Sequence, residues 1–304
     1  MYRIVLGTFV ALALACSGPQ GPQGPQGPDG PQGPAGPAGT FTGSFGGTAT
    51  FSGDLNVGGR IVLPAGEGPN TAATSCAALL AARPGIPSGA YWLKPSTASD
   101  AFRAYCDMTN EGGGWTLVWS NLRGGRGKPF TELQWKNAIN TLPRVTGALG
   151  EDLESFIVYT GLKHWTALAP GGQLRTDWAP DYGAAIDQRY ICSFSFTDLS
   201  TYQITFNLPT CRQPVGTVVP GLVSYHNNAK FSAYDVDNDT NAGTNCAASY
   251  SNSPFWFQMC FSGSIVGGGE LSQGHANGAF WTGAGTAWGT AGGNGGGNGW
   301  IYVK

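Results

Sequence analysis

Charge is what this sequence has least of. Asp, Glu, Lys and Arg make up 11% of its residues, and 16 basic against 18 acidic side chains leave a net charge of -2. Neither sign is in excess, so there is no electrostatic basis for binding nucleic acid or an anionic membrane surface. Histidine is also scarce: His164, His226 and His275 are widely separated, and none belongs to an H-E-x-x-H pair or has a cysteine companion. A Ser-His-Asp triad is a spatial arrangement that spacing does not address, but the G-x-S-x-G elbow that would support one is missing. The GGNGGGNG run at 292–299 lacks the Gly-Lys-Ser/Thr ending and the strand-then-helix setting of a phosphate loop. These absences leave the protein without an enzyme signature, and the histidines read as structural or surface residues.

Glycine, by contrast, is abundant at 49 residues, and 10 Trp, 11 Tyr and 15 Phe supply large apolar area to a loop-rich sequence. Seven cysteines divide unevenly. Cys16 stands alone near the N-terminus, while Cys76, Cys106, Cys192, Cys211, Cys246 and Cys260 form an even set in the remainder. Without C-x-x-C spacing or histidine partners, those six read as three disulfides made in an oxidising compartment, not as a zinc site.

The N-terminus has one basic residue, Arg3, and an apolar run over residues 4–15. That run is too short to span a bilayer and has the form of a secretory signal. It ends Leu12-Ala13-Leu14-Ala15-Cys16, which resembles the lipobox of bacterial lipoproteins. The resemblance implies a signal peptide over 1–15, a lipidated Cys16 and, with Ser17 beside it, an outer-membrane lipoprotein. The other reading is an ordinary signal cut after Ala-Leu-Ala. Residues 18–38 are seven Gly-Pro-X triplets, and only glycine fits the axis of a collagen triple helix. At about 3 Å per residue the repeat would reach about 60 Å, either in a homotrimer or as a single-stranded polyproline spacer. Residues 40–63 switch to short alternating strands cut by glycines. Phe41, Phe45, Phe51, Leu55, Val57 and Ile61 are too few to bury a core within one copy, and the stretch either looks like the small β-structured trimerisation pieces of phage tail fibres or is a disordered linker. A linker through residue 74 follows, and a globular domain is expected over 75–304.

Within that domain the apolar run 76–82 predicts a helix that Pro84-Gly85 ends. Residues 90–93, 102–106 and 115–119 predict strands, and Gly112-Gly113-Gly114 a turn. Residues 130–139 predict a helix with Thr131 near its N-cap, and Leu153 to Thr160 a strand or helix. The alternating runs between Ile191 and Ile204 predict hairpin strands, with Phe194, Phe196, Leu199, Tyr202 and Phe206 as packing residues. A glycine-rich loop should precede a final strand near residues 300–303. Cys76, the step Ser88-Gly89-Ala90-Tyr91-Trp92, then Tyr105-Cys106-Asp107-Met108 and Gly112-Gly113-Gly114-Trp115-Thr116 together resemble the opening of the fibrinogen C-terminal domain. Fibrinogen, ficolins and tachylectins share that domain, as intelectins do more distantly. The fold class this implies is α+β: a twisted antiparallel sheet, few helices and a loop-rich calcium subdomain.

Residues 231–260 carry the chemistry. Asp235, Asp237 and Asp239 alternate and are followed by Asn241 and Gly243. Clustered carboxylates of this kind suit a hard cation such as Ca2+, or they form a solvated acidic turn. The EF-hand pattern fails, because Thr240 stands where its glycine should and Cys246 where its glutamate should. Phe231-Ser232, Asp237-Asn238-Asp239, Asn245-Cys246-Ala247, Phe255-Trp256 and Cys260 follow in the order of the fibrinogen family's calcium segment. The resemblance implies Asp237 and Asp239 as side-chain ligands, backbone carbonyls near Asn241 and Gly243 as further donors, and Asp235 as a carboxylate just outside them.

It also implies the pairings Cys76–Cys106 and Cys246–Cys260, which leaves Cys192 with Cys211. In the family's lectins acetyl groups bind beside the calcium loop, so Asn245, Cys246, Ala247, Tyr250 and Phe257 become the candidate pocket, with a cis peptide expected at Asn245–Cys246. Phe261 stands where the family usually has histidine. The expected function is calcium-dependent surface recognition of glycans or acetylated groups. The rival is a structural or protein-binding surface domain in which calcium stabilises the fold.

Overall fold

The computed structural model describes residues 63–121, 134–142, 159–179, 185–217, 219–249, 252, 254–260 and 298–304. All lie in the second of two units, Gly58–Lys304. The expected signal and lipidation site at Cys16, the Gly-Pro-X repeat and the glycine-rich strands up to residue 62 fall outside the described residues. So do Thr131, most of the Leu153–Thr160 stretch, Tyr250, Phe261, His275 and the glycine-rich loop.

The first helix, α1 (Cys76–Ala82), has the predicted bounds. The Ser75 hydroxyl caps it by accepting from the Ala78 N–H at 3.1 Å. Strands β1 (Gly89–Leu93), β2 (Phe102–Asp107) and β3 (Trp115–Asn121) follow as an antiparallel meander. The turn into β3 requires its glycines. Gly112, Gly113 and Gly114 all have positive φ, and a Cβ on Gly113 would lie 2.2 Å from the Met108 carbonyl oxygen. Strand β4 (Gln173–Ala179) and the long hairpin of β5 (Gln188–Asp198) and β6 (Gln203–Val215) complete the middle of the sequence. This hairpin extends well beyond the predicted 191–204.

The seven-stranded sheet runs β1-β2-β3-β9-β4-β5-β6, with the final strand β9 (Asn298–Val303) inserted between β3 and β4. Every pairing in it is antiparallel. Alternation along β9 serves two cores: Ile301 and Val303 join the main one, while Trp300 and Tyr302 join a smaller one with Trp115, Leu117 and Ile191. In the main core, rings meet edge to face around Trp119, Trp165 and Trp256. Phe194 and Phe206 are buried there as expected, but Leu199 is 65% exposed. It sits in the turn between β5 and β6, where the alternation that would bury it has ended.

Helix α2 covers Trp135–Asn140 and starts later than the predicted 130–139, with Gln134 at its N-cap making no side-chain cap bond. Its cap comes from elsewhere: the Asp235 carboxylate accepts from the Trp135 N–H at 2.8 Å. One-turn helices α3 (Trp165–Leu168), α4 (Gly221–Ser224) and α5 (Cys246–Ser249), a two-stranded pair of β7 (Phe231–Ser232) with β8 (Phe255–Trp256), and 3-10 turns at Pro69–Thr71, Asn110–Gly112 and Leu162–His164 complete the described elements. Disulfides join Cys76 to Cys106, Cys192 to Cys211 and Cys246 to Cys260. The first ties α1 to β2, and the second crosses the β5–β6 hairpin.

Candidate functional site

The acidic segment hangs from β7 and is clamped at several points. Phe231 is fully buried, with its ring 4.9 Å from that of Trp256, whose indole N–H donates to the Tyr202 carbonyl at 2.8 Å. The next four residues turn back sharply: Ala233 and Val236 exchange backbone hydrogen bonds at 2.9 and 3.0 Å, with Tyr234 and Asp235 at the tip. Asn238 donates to the Phe231 carbonyl at 2.8 Å, and the buried Ser232 hydroxyl accepts from its N–H at 3.0 Å. The Thr240 N–H donates to the Gln258 carbonyl at 2.9 Å, holding the loop against the segment after β8.

Asp237 and Asp239 emerge side by side from this frame. The Asp239 carboxylate accepts from the Asn241 N–H at 2.8 Å and from the Cys246 N–H, at the start of α5, at 2.7 Å. Asp237 accepts from the Asp239 N–H at 3.2 Å. Burial first, and then the Asp239 carboxylate beside it, push the Asp237 carboxyl above its ordinary range against the pull of that N–H. Asn241 folds inward: its amide donates to the Cys260 sulfur at 3.3 Å, its side-chain oxygen accepts from the Gly243 N–H at 3.1 Å, and its carbonyl accepts from the Thr244 N–H at 3.3 Å. Among the described residues no three His, Cys, Asp or Glu side chains converge as a metal-binding group. A calcium site does not require three, since carbonyl oxygens and water can fill most of its sphere.

Asp235 departs from the expected arrangement. Its carboxylate caps α2, a partner 100 residues distant. Among the expected pocket residues, Cys246, Ala247 and Phe257 are buried, and Phe257 packs 5.6 Å from Phe255. Asn245 spends its amide internally: its N–H groups donate to the Ala233 and Tyr234 carbonyls at 3.0 and 3.3 Å, and its oxygen accepts from the Ala248 N–H at 3.1 Å. It is the N-cap of α5 and a tie to the preceding turn. The Asn245–Cys246 peptide is trans, as are all the described peptide bonds, so the cis bond expected there is not found. His164 and His226 are buried. His164 shares a 2.8 Å hydrogen bond with the Thr97 hydroxyl, the structural role expected of it.

Sequence reasoning missed a second polar constellation, on the sheet face opposite the main core. The Arg175 guanidinium donates to Asp107 at 2.7 Å and lies 3.3 Å from Asp177, while Arg189 grips both oxygens of Asp177 at 2.8 Å. Arg175 also lies 4.0 Å above the Tyr302 ring and 5.1 Å from that of Trp115. Arg189 reaches Asn110, and Arg212 pairs with Glu111. Burial would raise the Asp107 carboxyl, but Arg175 and the N–H groups of Asn110 and Thr109 outweigh it and hold the group below its usual range. The signal available was the alternation Leu174, Thr176, Trp178 against Arg175, Asp177 along β4. It marks a strand with charges on one face but does not name their partners.

Comparison with known proteins agrees with this architecture. The family model described as fibrinogen beta and gamma chains, C-terminal globular domain, matches residues 181–291, and the model for the fibrillar collagen C-terminal domain matches residues 56–121. Microfibril-associated glycoprotein 4 of Mus musculus is 30% identical over 202 residues, covering 64% of this sequence and 71% of the relative. Tenascin of Mus musculus is 30% identical over 186 residues, covering 60% of this sequence, but the match spans only 8% of that much longer protein. Among solved structures, the fibrinogen-like globe domain of human ANGPTL6 matches with a TM-score of 0.54 at 21% identity, over 79% of this protein and 97% of that one. A lamprey fibrin D-dimer matches with a TM-score of 0.57 at 18% identity, over 77% and 75%. The protein belongs to the fibrinogen C-terminal domain family.

Proposed function

We propose that this is a calcium-dependent surface recognition protein, lectin-like in its use of a metal-braced loop. The domain is a non-enzymatic recognition or structural module, and the relatives it matches are extracellular or secreted proteins. What carries the calcium half of the reading is the pairing of Asp237 with Asp239. Two carboxylates are brought together beside a disulfide loop, and their hydrogen bonds come from the backbone N–H groups of Asp239, Asn241 and Cys246. Among the described residues, no cationic side chain is hydrogen-bonded to either. A divalent cation would reconcile them. Asp237 and Asp239 would supply side-chain oxygens and the 241–243 backbone the remainder, with water. The ligand would be a glycan or an acetylated surface group. Cys16 would anchor the mature protein as a bacterial outer-membrane lipoprotein, and the Gly-Pro-X repeat would serve as a trimeric stalk.

A second reading has a specific observation behind it. Cys246, Ala247 and Phe257 face the interior and the Asn245 amide is internally satisfied, which suits a loop that calcium stabilises without a sugar pocket. Glycan-array binding with and without EDTA separates the two. Binding that disappears with EDTA and returns with Ca2+ supports the lectin reading. Calcium that raises the melting temperature of a domain binding only proteins supports the second, and no calcium uptake in titration calorimetry refutes both.

A further inference from the structure

The expected acidic triplet splits in two, and the separated member has a task of its own. Asp239 is held from one side by α5 through the Cys246 N–H, Asp237 is tied to it through the Asp239 N–H, and Asn245 holds the turn at residues 233–236. On the other side the same turn presents Asp235 at its tip, hydrogen-bonded to the first N–H of α2. Helix α2 is itself a fixed post. Ala138 and Ile139 are buried, the Tyr159 hydroxyl donates to the Ala138 carbonyl at 2.5 Å, and the Gly161 N–H donates to the Thr141 carbonyl at 2.8 Å. Gly161 lies so close that a Cβ on it would be 2.4 Å from the Ile139 carbonyl oxygen. Trp135, at the capped end, lays its ring 6.1 Å from Phe231, where the acidic segment begins.

We infer that Asp235 is a positioning residue: by capping α2 it holds the turn before Asp237 against the core and so sets the placement of the two candidate calcium ligands. The acid acts through a helix N–H and not through the metal. An acceptor at this site is therefore what matters, and negative charge is secondary. This assignment rests on the calcium reading for its effect on affinity but not for the cap itself.

The test uses the full-length protein, with Asp235→Ala and Asp235→Asn, titrated with Ca2+ by calorimetry. Asparagine can still accept from Trp135, so Asp235→Asn should bind Ca2+ within about two-fold of wild type, while Asp235→Ala should bind roughly three- to ten-fold more weakly. Equal losses in the two variants would assign the effect to charge at the metal and overturn the inference, as would an Asp235→Ala protein of unchanged affinity. Amide hydrogen exchange keeps the two claims apart. If wild type takes up no calcium the metal reading fails by itself, and the inference is then decided by the amides of Asp239, Asn241 and Cys246. Faster exchange there in Asp235→Ala but not in Asp235→Asn sustains it, and unchanged exchange refutes it.

Discussion

Replacing Asp177 by asparagine should be among the most damaging isosteric changes in the described domain. The Asp177 side chain is 3% exposed, and its partners Arg189 and Arg175 are 9% and 1% exposed. Both of its oxygens are taken by Arg189, and one also faces Arg175. Asparagine keeps the shape but turns an NH2 group toward a guanidinium and removes the charge shared by two buried cations. Breaking a buried ion pair by removing one partner lowers stability by about 3–5 kcal/mol. Arg175 would retain Asp107, and Arg189 would retain Asn110 and the more distant Glu111, which places the expectation near the lower end, at about 3 kcal/mol. For a domain of this size that corresponds to a fall in melting temperature of about 6–12 °C.

The assay is urea unfolding followed by tryptophan fluorescence, repeated from low to roughly molar salt. A loss near 3 kcal/mol that persists in salt is expected, since Debye screening acts weakly on buried pairs. The double variant Asp177→Leu with Arg189→Met removes both charges at once and should recover much of the loss. The reasoning is refuted if Asp177→Asn loses less than about 1 kcal/mol, as an exposed pair would. It is also refuted if the double variant is no more stable than Asp177→Asn.

Three further outcomes are expected. Burial, then Lys163 beside it, lower the His164 imidazole to about 4 from 6.5; the unfolded protein therefore takes up a proton as pH falls below 6.5 while the folded one does not. Stability should decline between pH 6.5 and 4 by about 2 kcal/mol, allowing for screening of the charged form, and His164→Gln should flatten that slope in pH-dependent denaturation. Gly113→Ala, at φ 64° and with its Cβ 2.2 Å from the Met108 carbonyl oxygen, should lose more than about 2 kcal/mol by thermal melting. Gly112→Ala, whose nearest obstacle is the Lys304 ammonium at 3.7 Å, should lose only about 1 kcal/mol. Removing the Cys192–Cys211 bond with paired serines frees a separation of 19 residues and should lower denaturant stability by about 3 kcal/mol on the loop-closure account.

Local rules carried the reading furthest where neighbours in sequence are also neighbours in space. The apolar run 76–82 and the Pro84-Gly85 after it define α1 to the residue, and the Gly112-Gly113-Gly114 turn precedes the second of the two strands expected at 102–106 and 115–119. They failed where a group's partner lies far along the sequence. Arg175 and Asp177 are unusual on a buried strand face, and only Asp107 and Arg189, brought in from β2 and β5, make them tolerable there. Spacing and the family resemblance both set Asp235 beside Asp237 and Asp239, yet its hydrogen bond goes to Trp135. No local pattern reveals that the last strand closes the sheet between β3 and β4.

Asn245 shows how the same limit bears on recognition. An asparagine beside a calcium segment looks available for a ligand, but here its three hydrogen bonds tie the turn at residues 233–236 to the start of α5. A sugar that took over this amide would have to break its bonds to the Ala233 and Tyr234 carbonyls, and the Ala233 carbonyl would keep only the Val236 N–H. Phe257 and Ala247 are similarly committed to the core. If the domain recognises its ligand at this end, residues 242–244 are among the described residues exposed there to do so. Affinity would then depend on how firmly that loop is held, which gives a structural reason for tying the acidic segment to both α2 and α5.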